Sequence, residues 1–138
     1  MDLSLTERTK EGIIIVDAKG QIVAGESADK LRDHLRGLVE RETPNAILNL
    51  GHVDYIDSSG LGALVMSFSA LRKKGGALKL LNLSRRNVEL LVLTKLETVF
   101  EVFDDEQSAV NSFFPNREIK KFDILSFLQQ RKKGGGGE

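Results

Sequence analysis

One stretch, residues 54–62 (DYIDSSGLG), constrains the fold of this chain more than any other. Before it lies a short apolar run, residues 46–50, which is typical of a buried strand. After it, apolar side chains recur at helical spacing until the pair Gly75 and Gly76 ends the pattern. The stretch therefore lies at a strand-to-helix junction. We expect the core side of that helix to be formed by Leu61, Leu64, Val65 and Phe68.

The junction has two interpretations. Asp57 and Ser58 are residue types that cap helices, because their side-chain oxygens accept the first unpaired amide N–H groups. One interpretation is therefore an ordinary capped helix. The alternative is a site for a phosphorylated serine, since the amides and the positive dipole end of a helix stabilise a phosphate. In that case Gly60 and Gly62 would let a partner approach the backbone closely.

Strand and helix patterns alternate along the rest of the chain. A hairpin is predicted from an edge strand near Leu3 and Leu5 and a β-branched strand at 13–16, joined by a turn at 10–12. A second turn is predicted at 18–20, before a short strand at 22–23. Alternation of strands and helices favours parallel pairing, so the predicted class is α/β with a mixed sheet. Two further strands are predicted, at about 77–83 and 99–103. Four helices are predicted: at about 28–42, at about 60–74, one starting at Ser84, and one following Asp104 and Asp105.

Pro115 and Asn116 mark a boundary between a first domain, residues 1–114, and a C-terminal segment, residues 115–138. Apolar spacing in the segment predicts an amphipathic helix over about 118–132, followed by a Gly-rich flexible tail. The segment holds six Lys or Arg against three Asp or Glu, a local charge of +3. It is interpreted either as an extra helix docked on the domain or as a partner or self-association segment.

Composition argues against several function classes. The formal net charge of zero gives no general attraction to nucleic acid or membrane, and the chain has no cysteine for disulfide or thiol chemistry. No apolar run approaches the length of a spanning helix, and the N-terminal residues lack the pattern of a signal peptide. We therefore expect a cytoplasmic protein.

Catalytic motifs are lacking as well. The sequence contains no phosphate-binding Gly-rich loop, no nucleophile elbow and no zinc-ligand spacing, and Ser58 has only His34 and His52 as candidate bases. We expect no enzyme activity, no metal and no cofactor. Arg85 and Arg86 are interpreted as solvated surface charge, with a basic contact for an acidic partner as the alternative.

The order of strand, Asp-Ser-Ser-Gly-Leu-Gly, apolar helix, Gly-Gly and strand resembles the STAS domain of bacterial anti-sigma-factor antagonists over about residues 3–114. The resemblance implies a mixed β-sheet packed with about four helices, to which this chain adds a C-terminal helix. In that family the serine directly after the Asp is phosphorylated, which here is Ser58. The resemblance implies a partner-binding surface at Asp57, Ser59, Gly60, Leu61 and Gly62.

The resemblance also implies a partner-switching cycle. The unphosphorylated antagonist binds an anti-sigma factor, which is itself a serine kinase, and phosphorylation of the serine ends the binding. A metal-dependent serine phosphatase restores it. Such a protein contacts neither nucleic acid nor membrane directly, and a homodimer is left open.

One position departs from the family pattern. Many members carry an Asp after the second strand, near the phosphorylated serine, and in this sequence that position is Val23 or Ala28, with Asp29 close by. An alternative function therefore stays open: a scaffold subunit of a stressosome-like complex, or a stand-alone STAS module that senses a nucleotide or a lipid.

Overall fold

The computed structural model describes residues 2–136. Its five strands form one sheet in the order β1-β2-β3-β4-β5, in which β1 is antiparallel to β2 and the other neighbours are parallel. The strands are β1 Ser4–Lys10, β2 Ile13–Ile22, β3 Asn45–Ile56, β4 Ala77–Leu81 and β5 Val102–Phe103. The α-helices are α1 Glu26–Leu38, α2 Ser58–Lys73, α3 Arg85–Leu93, α4 Glu106–Asn111 and α5 Ile124–Gly136. The predicted fold class, a mixed α/β sheet with about four helices and a C-terminal helix, is confirmed.

Alternate side chains of the strands serve two hydrophobic layers, because successive residues of a strand point to opposite faces. Ile14 and Leu48 belong to the larger layer, which contains the buried faces of α1, α2 and α3. Ile15 and Ile47 belong to the smaller layer, which is covered by α4. The central strands are thus buried on both faces, as expected of parallel strands joined by helices.

The predicted turn at residues 18–20 is wrong. These residues lie inside β2, whose pairing with β3 shifts between Asp17 and Lys19 and again between Gly20 and Gln21. Gly20 has a φ of +124°, and a Cβ there would overlap the backbone of Asp2. The glycine therefore permits an irregularity within one long strand rather than a reversal of the chain.

The strand before the junction is longer than the predicted 46–50. Beyond Asn49, β3 has no partner residue in β4 and continues to Ile56 by pairing with the end of β2. By contrast, β5 covers only Val102 and Phe103 of the predicted 99–103, because the amides of Val99 and Phe100 bond back to the carbonyl of Leu96 in a turn of 3₁₀-helix. α1 likewise begins and ends earlier than the predicted 28–42.

The expected core side of α2 is only half correct. Leu61 and Leu64 are buried, but Val65 and Phe68 are half-buried at the flank of the helix. The face that points into the core also contains small residues, among them Ala63 and Ser67. Apolar spacing identified the correct helix, but its apolar stripe is wider than the face that the sheet covers.

The C-terminal helix begins later than predicted. Asp123 accepts a hydrogen bond from the amide of Ser126 at 3.1 Å, which caps a helix starting at Ile124 instead of residue 118. Phe122, Ile124, Phe127 and Leu128 pack against the larger hydrophobic layer. The helix also ends later than the predicted residue 132, at Gly136. Gly137 and Glu138 lie outside the described residues, and the domain boundary and a flexible tail stay predictions. Within the described residues, no helix is both long and apolar enough to cross a membrane.

Candidate functional site

The candidate site lies at the junction of β3 and α2, where Asp57 is the N-cap. Its backbone is extended, with φ −96° and ψ −175°, and its Oδ1 accepts a hydrogen bond from the amide of Gly60 at 2.9 Å. Its Oδ2 accepts a second one from the amide of Ala24 at 3.0 Å, in the loop between β2 and α1. The amide of Asp57 donates to the carbonyl of Ile22 at 3.1 Å. One residue therefore links the start of α2 to the end of β2.

These contacts keep the Asp57 carboxyl ionised. The amide of Ala24 and, next, that of Gly60 hold the pKa of Asp57 below its ordinary value, because both donate to the charged form. Burial acts in the opposite direction and is outweighed. A fixed negative charge thus lies next to the two serines of the junction.

Ser58 and Ser59 are the first two residues of α2, and both are exposed. Within the described part of the chain, no side chain forms a hydrogen bond with either hydroxyl. Asp57 caps the helix instead, so neither serine is needed as its N-cap. The arrangement presents two free hydroxyls to solvent at the positive end of a helix, which suits a group that another protein modifies or binds.

Two of the predicted partner-binding residues lie inside the fold. A Cβ at Gly60 would overlap the carbonyl of Ile22, so this glycine allows β2 and α2 to pack closely rather than a partner to approach. Leu61 is only 7% exposed, because the same turn of the helix faces the sheet. Gly62 is exposed, and a Cβ there would meet nothing. The accessible part of the predicted surface is therefore Asp57, Ser59 and Gly62.

The loop after β2 contains no acid at the position that the family resemblance indicates. Val23 is half-buried, and its amide donates to Ser27 Oγ at 2.8 Å, while Ala28 is buried. Asp29 pairs with Arg32 on its own helix at 2.8 Å. The carboxylate that this loop does contact is that of Asp57, which accepts a hydrogen bond from the amide of Ala24.

The two arginines at the start of α3 have different roles, which the sequence did not indicate. Arg85 donates to the carbonyl of Leu128 at 2.8 Å and so holds the C-terminal helix. Arg86 is exposed, and its guanidinium lies over the ring of Tyr55, 4.5 Å from the ring centroid. Tyr55 precedes Ser58 by three residues. The interpretation as plain solvated charge is wrong for Arg85.

Neither histidine is placed as a partner of the serines. His34 Nε2 lies 2.9 Å from Glu7 on the edge strand β1. His52 is exposed on β3, near Asp17. Among the residues that the structure describes, no three His, Asp or Glu side chains are grouped so that they could hold a metal ion.

Comparison with known proteins finds the same domain family that the sequence pattern resembles. The profile of the STAS domain family matches residues 4–109. The anti-sigma-B factor antagonist of Bacillus subtilis (strain 168) is 34% identical over 110 residues, which are 80% of this chain and 99% of that protein.

Two solved structures share the fold. An anti-sigma factor antagonist from Mycobacterium paratuberculosis has a TM-score of 0.72 at 20% identity, over 80% of this chain and 93% of that chain. The Bacillus cell fate determinant SpoIIAA in its phosphorylated form has a TM-score of 0.63 at 16% identity, over 80% of this chain and 100% of that chain. At these identities the two structures support the fold alone.

Proposed function

The chain belongs to the STAS domain family, and from that premise we propose that it is an anti-sigma factor antagonist controlled at Ser58. In its unphosphorylated form it binds an anti-sigma factor, and phosphorylation of Ser58 by that factor ends the binding. A metal-dependent phosphatase restores the binding form. The antagonist itself is not an enzyme, and it works in the cytoplasm, where ATP and the transcription machinery are found.

One observation carries this proposal. Ser58 is the first residue of α2 and is exposed, and its hydroxyl has no hydrogen-bond partner within residues 2–136, while Asp57 caps the helix. A kinase can therefore reach the hydroxyl without opening the helix. The names of the relatives agree, since the Bacillus subtilis protein is an anti-sigma-B factor antagonist.

The added phosphate acts on the interface rather than on the fold. It brings about −1.5 to −2 charges at pH 7. The first amides of α2 and its dipole favour an anion at this place, so the protein stays folded. At the interface, the phosphate adds bulk and must lose water beside the fixed carboxylate of Asp57, which opposes docking. Ser59 and Gly62 complete the accessible surface that the partner covers.

Phosphosite mapping tests the proposal. The protein is incubated with each purified anti-sigma factor kinase of its host and with ATP, and mass spectrometry locates the phosphate. We expect one phosphate, on Ser58. The Ser58→Ala variant should take up none, and the matched Ser59→Ala variant should still be modified. Phosphate on Ser59, or on neither serine with every kinase, would contradict the assignment.

A further inference from the structure

A groove on the outer surface begins between α1 and α2 and continues over α2 alone. It consists of two adjoining depressions, one lined by Arg32, Leu35, Arg36, Met66, Ser67 and Ala70, the other by Phe68, Ser69, Ala70, Arg72 and Lys73. Ala70 is common to both, so the two form one surface, which we name the α1–α2 groove. It lies on the helix that starts at Ser58.

The centre of the groove is apolar. Met66 is 60% exposed, although it lies on a helix packed against the core, and Leu35 forms the buried floor beside it. A single exposed methionine is ordinary on a protein surface. An unbranched, polarisable methionine beside an apolar floor is also a side chain that adapts well to a partner.

The rim of the groove is basic. Arg32, Arg36, Arg72 and Lys73 line it, and no acid does so within the residues that the structure describes. α2 contains no acidic residue along its whole length. Asp29 and Asp33 do pair with the two arginines of α1, but their side chains are 65% and 70% exposed.

Those ion pairs do not cancel the positive rim. Exposed pairs contribute little free energy and exchange readily for other partners. The groove therefore offers cations that a partner's carboxylates can engage.

From these features we infer that the α1–α2 groove is a second contact site for the anti-sigma factor and accepts an acidic segment with an apolar side chain over Met66. The inference rests on the proposed function, because it assigns the groove to the same partner. Met66 follows Ser58 by eight residues, which is about 12 Å along a helix axis. An interface of ordinary size, about 800 Å² per partner, spans that distance.

The chemistry favours a protein over a polyanion. The chain's formal net charge is zero, so it has no general attraction for nucleic acid or an anionic membrane. The apolar centre with a charged rim is the anatomy of a protein interface. Rim charges of this kind steer association and make it sensitive to salt.

Charge reversal tests the inference with the kinase that phosphorylates Ser58 as the probe. The groove variant Arg36→Glu/Lys73→Glu changes one exposed cation in each depression. Its matched control, Lys120→Glu/Lys121→Glu, makes the same change of charge at exposed positions outside the groove. Dissociation constants are measured at low and high salt, and thermal melting confirms that each variant is folded.

We expect the groove variant to bind about tenfold more weakly than wild type at low salt and to lose most of the salt dependence. The control should bind like wild type, and kinase in excess should still phosphorylate Ser58 in both. Met66→Ser should also weaken binding, whereas Leu125→Ser, at a residue that is 67% exposed outside the groove, should not.

Three results would overturn the inference. If the groove variant and Met66→Ser bind like wild type while phosphorylation of Ser58 still ends binding, the groove is not used and the proposed function stands. If the groove variants change self-association but not kinase binding, the occupant is a second copy of this chain. If wild type binds no anti-sigma factor of its host, the proposed function fails and the inference fails with it.

Discussion

The carboxylate of Asp57 accepts a hydrogen bond from the amide of Ala24 at 3.0 Å and thereby fixes the loop after β2 to the start of α2. Its other oxygen accepts from Gly60 at 2.9 Å. Ser58 follows directly on this link, so the position of its hydroxyl depends on two parts of the chain that are far apart in sequence. Asp57 is thus a cap and a positioning residue at once.

Replacing Asp57 should therefore affect both stability and modification. We expect Asp57→Ala to lower the free energy of unfolding by about 1–2 kcal/mol, because a cap and a loop contact are lost together. Phosphorylation of Ser58 should also slow. Denaturant unfolding and phosphorylation kinetics measure the two effects.

The matched control for this variant is Ser84→Ala, which removes the cap of α3, where Ser84 Oγ accepts from the amide of Asn87 at 3.2 Å. It should cost about 1 kcal/mol and leave phosphorylation unchanged. If both variants slow phosphorylation equally, the effect comes from lost stability, and a positioning role for Asp57 is contradicted.

Stability should fall in acid. Hydrogen bonds from Arg8 hold the pKa of Asp17 below its ordinary value, and backbone amides do the same for Asp57. A carboxyl with a lower pKa in the folded state binds fewer protons than it does unfolded, so its contribution is complete above about pH 5 and is lost as the pH falls below about 4. Urea unfolding between pH 7 and pH 3 measures this.

The Asp57→Asn variant isolates what the charge of Asp57 contributes to the pH dependence of the free energy of unfolding. It should lose stability at pH 7 and differ less from wild type at pH 3, because the wild type loses part of the contribution of Asp57 as the pH falls below the ordinary pKa of an aspartate. A constant difference between the two proteins across this range would show that the charge of Asp57 does not matter for folding.

The candidate site was partly predictable from sequence because its chemistry is local. The change of periodicity between residues 50 and 61 placed Ser58 at the helix start, and the residue type of Asp57 predicted a cap. The contact with Ala24 was not predictable, because it joins residues 33 apart. For the same reason, nothing local to Gly60 indicated that it packs against Ile22.

Core substitutions in α2 should follow burial rather than residue size. Leu64 is 1% exposed, and Leu64→Ala should cost about 2–5 kcal/mol. Phe68 is half-buried and contacts Phe100 edge-on, with ring centroids 5.0 Å apart. Phe68→Ala should therefore cost less than the roughly 3–5 kcal/mol of a fully buried phenylalanine. Thermal melting gives the order, and an equal or larger loss at Phe68 would contradict it.

The C-terminal segment should be removable. A chain lacking residues 116–138 should still unfold cooperatively, because the sheet and its two layers are complete before Pro115. Its melting temperature should be lower, since the packing of Phe122 and Phe127 is lost. Loss of cooperative unfolding would show that the segment belongs to the core.

The anchor of this segment can be tested separately. Arg85→Ala should cost about 1 kcal/mol in the full chain, where Arg85 holds the carbonyl of Leu128, and clearly less in the shortened chain. Equal losses in both chains would mean that Arg85 acts within α3, through its ion pair with Glu89 at 3.4 Å.

The errors in the fold prediction have a common physical cause. Gly20 indicated a turn, but its backbone conformation serves a bulge that only the pairing of β2 with β3 requires. Apolar spacing from Ile119 predicted the last helix too early, because the backbone on either side of Ile119 bonds to α4 instead: the carbonyl of Glu118 accepts from Asn111, and the amide of Lys120 donates to Ser108. Tertiary contacts override local pattern at both places.

Binding before and after phosphorylation tests the central claim most directly. One preparation is divided, and half is phosphorylated on Ser58 by its anti-sigma factor kinase. The affinity of each half for that kinase is then measured by calorimetry, with Ser58→Ala treated in the same way. We predict that the unmodified half and Ser58→Ala bind, and that the phosphorylated half stays folded but does not. Equal affinity of the two halves would contradict the account.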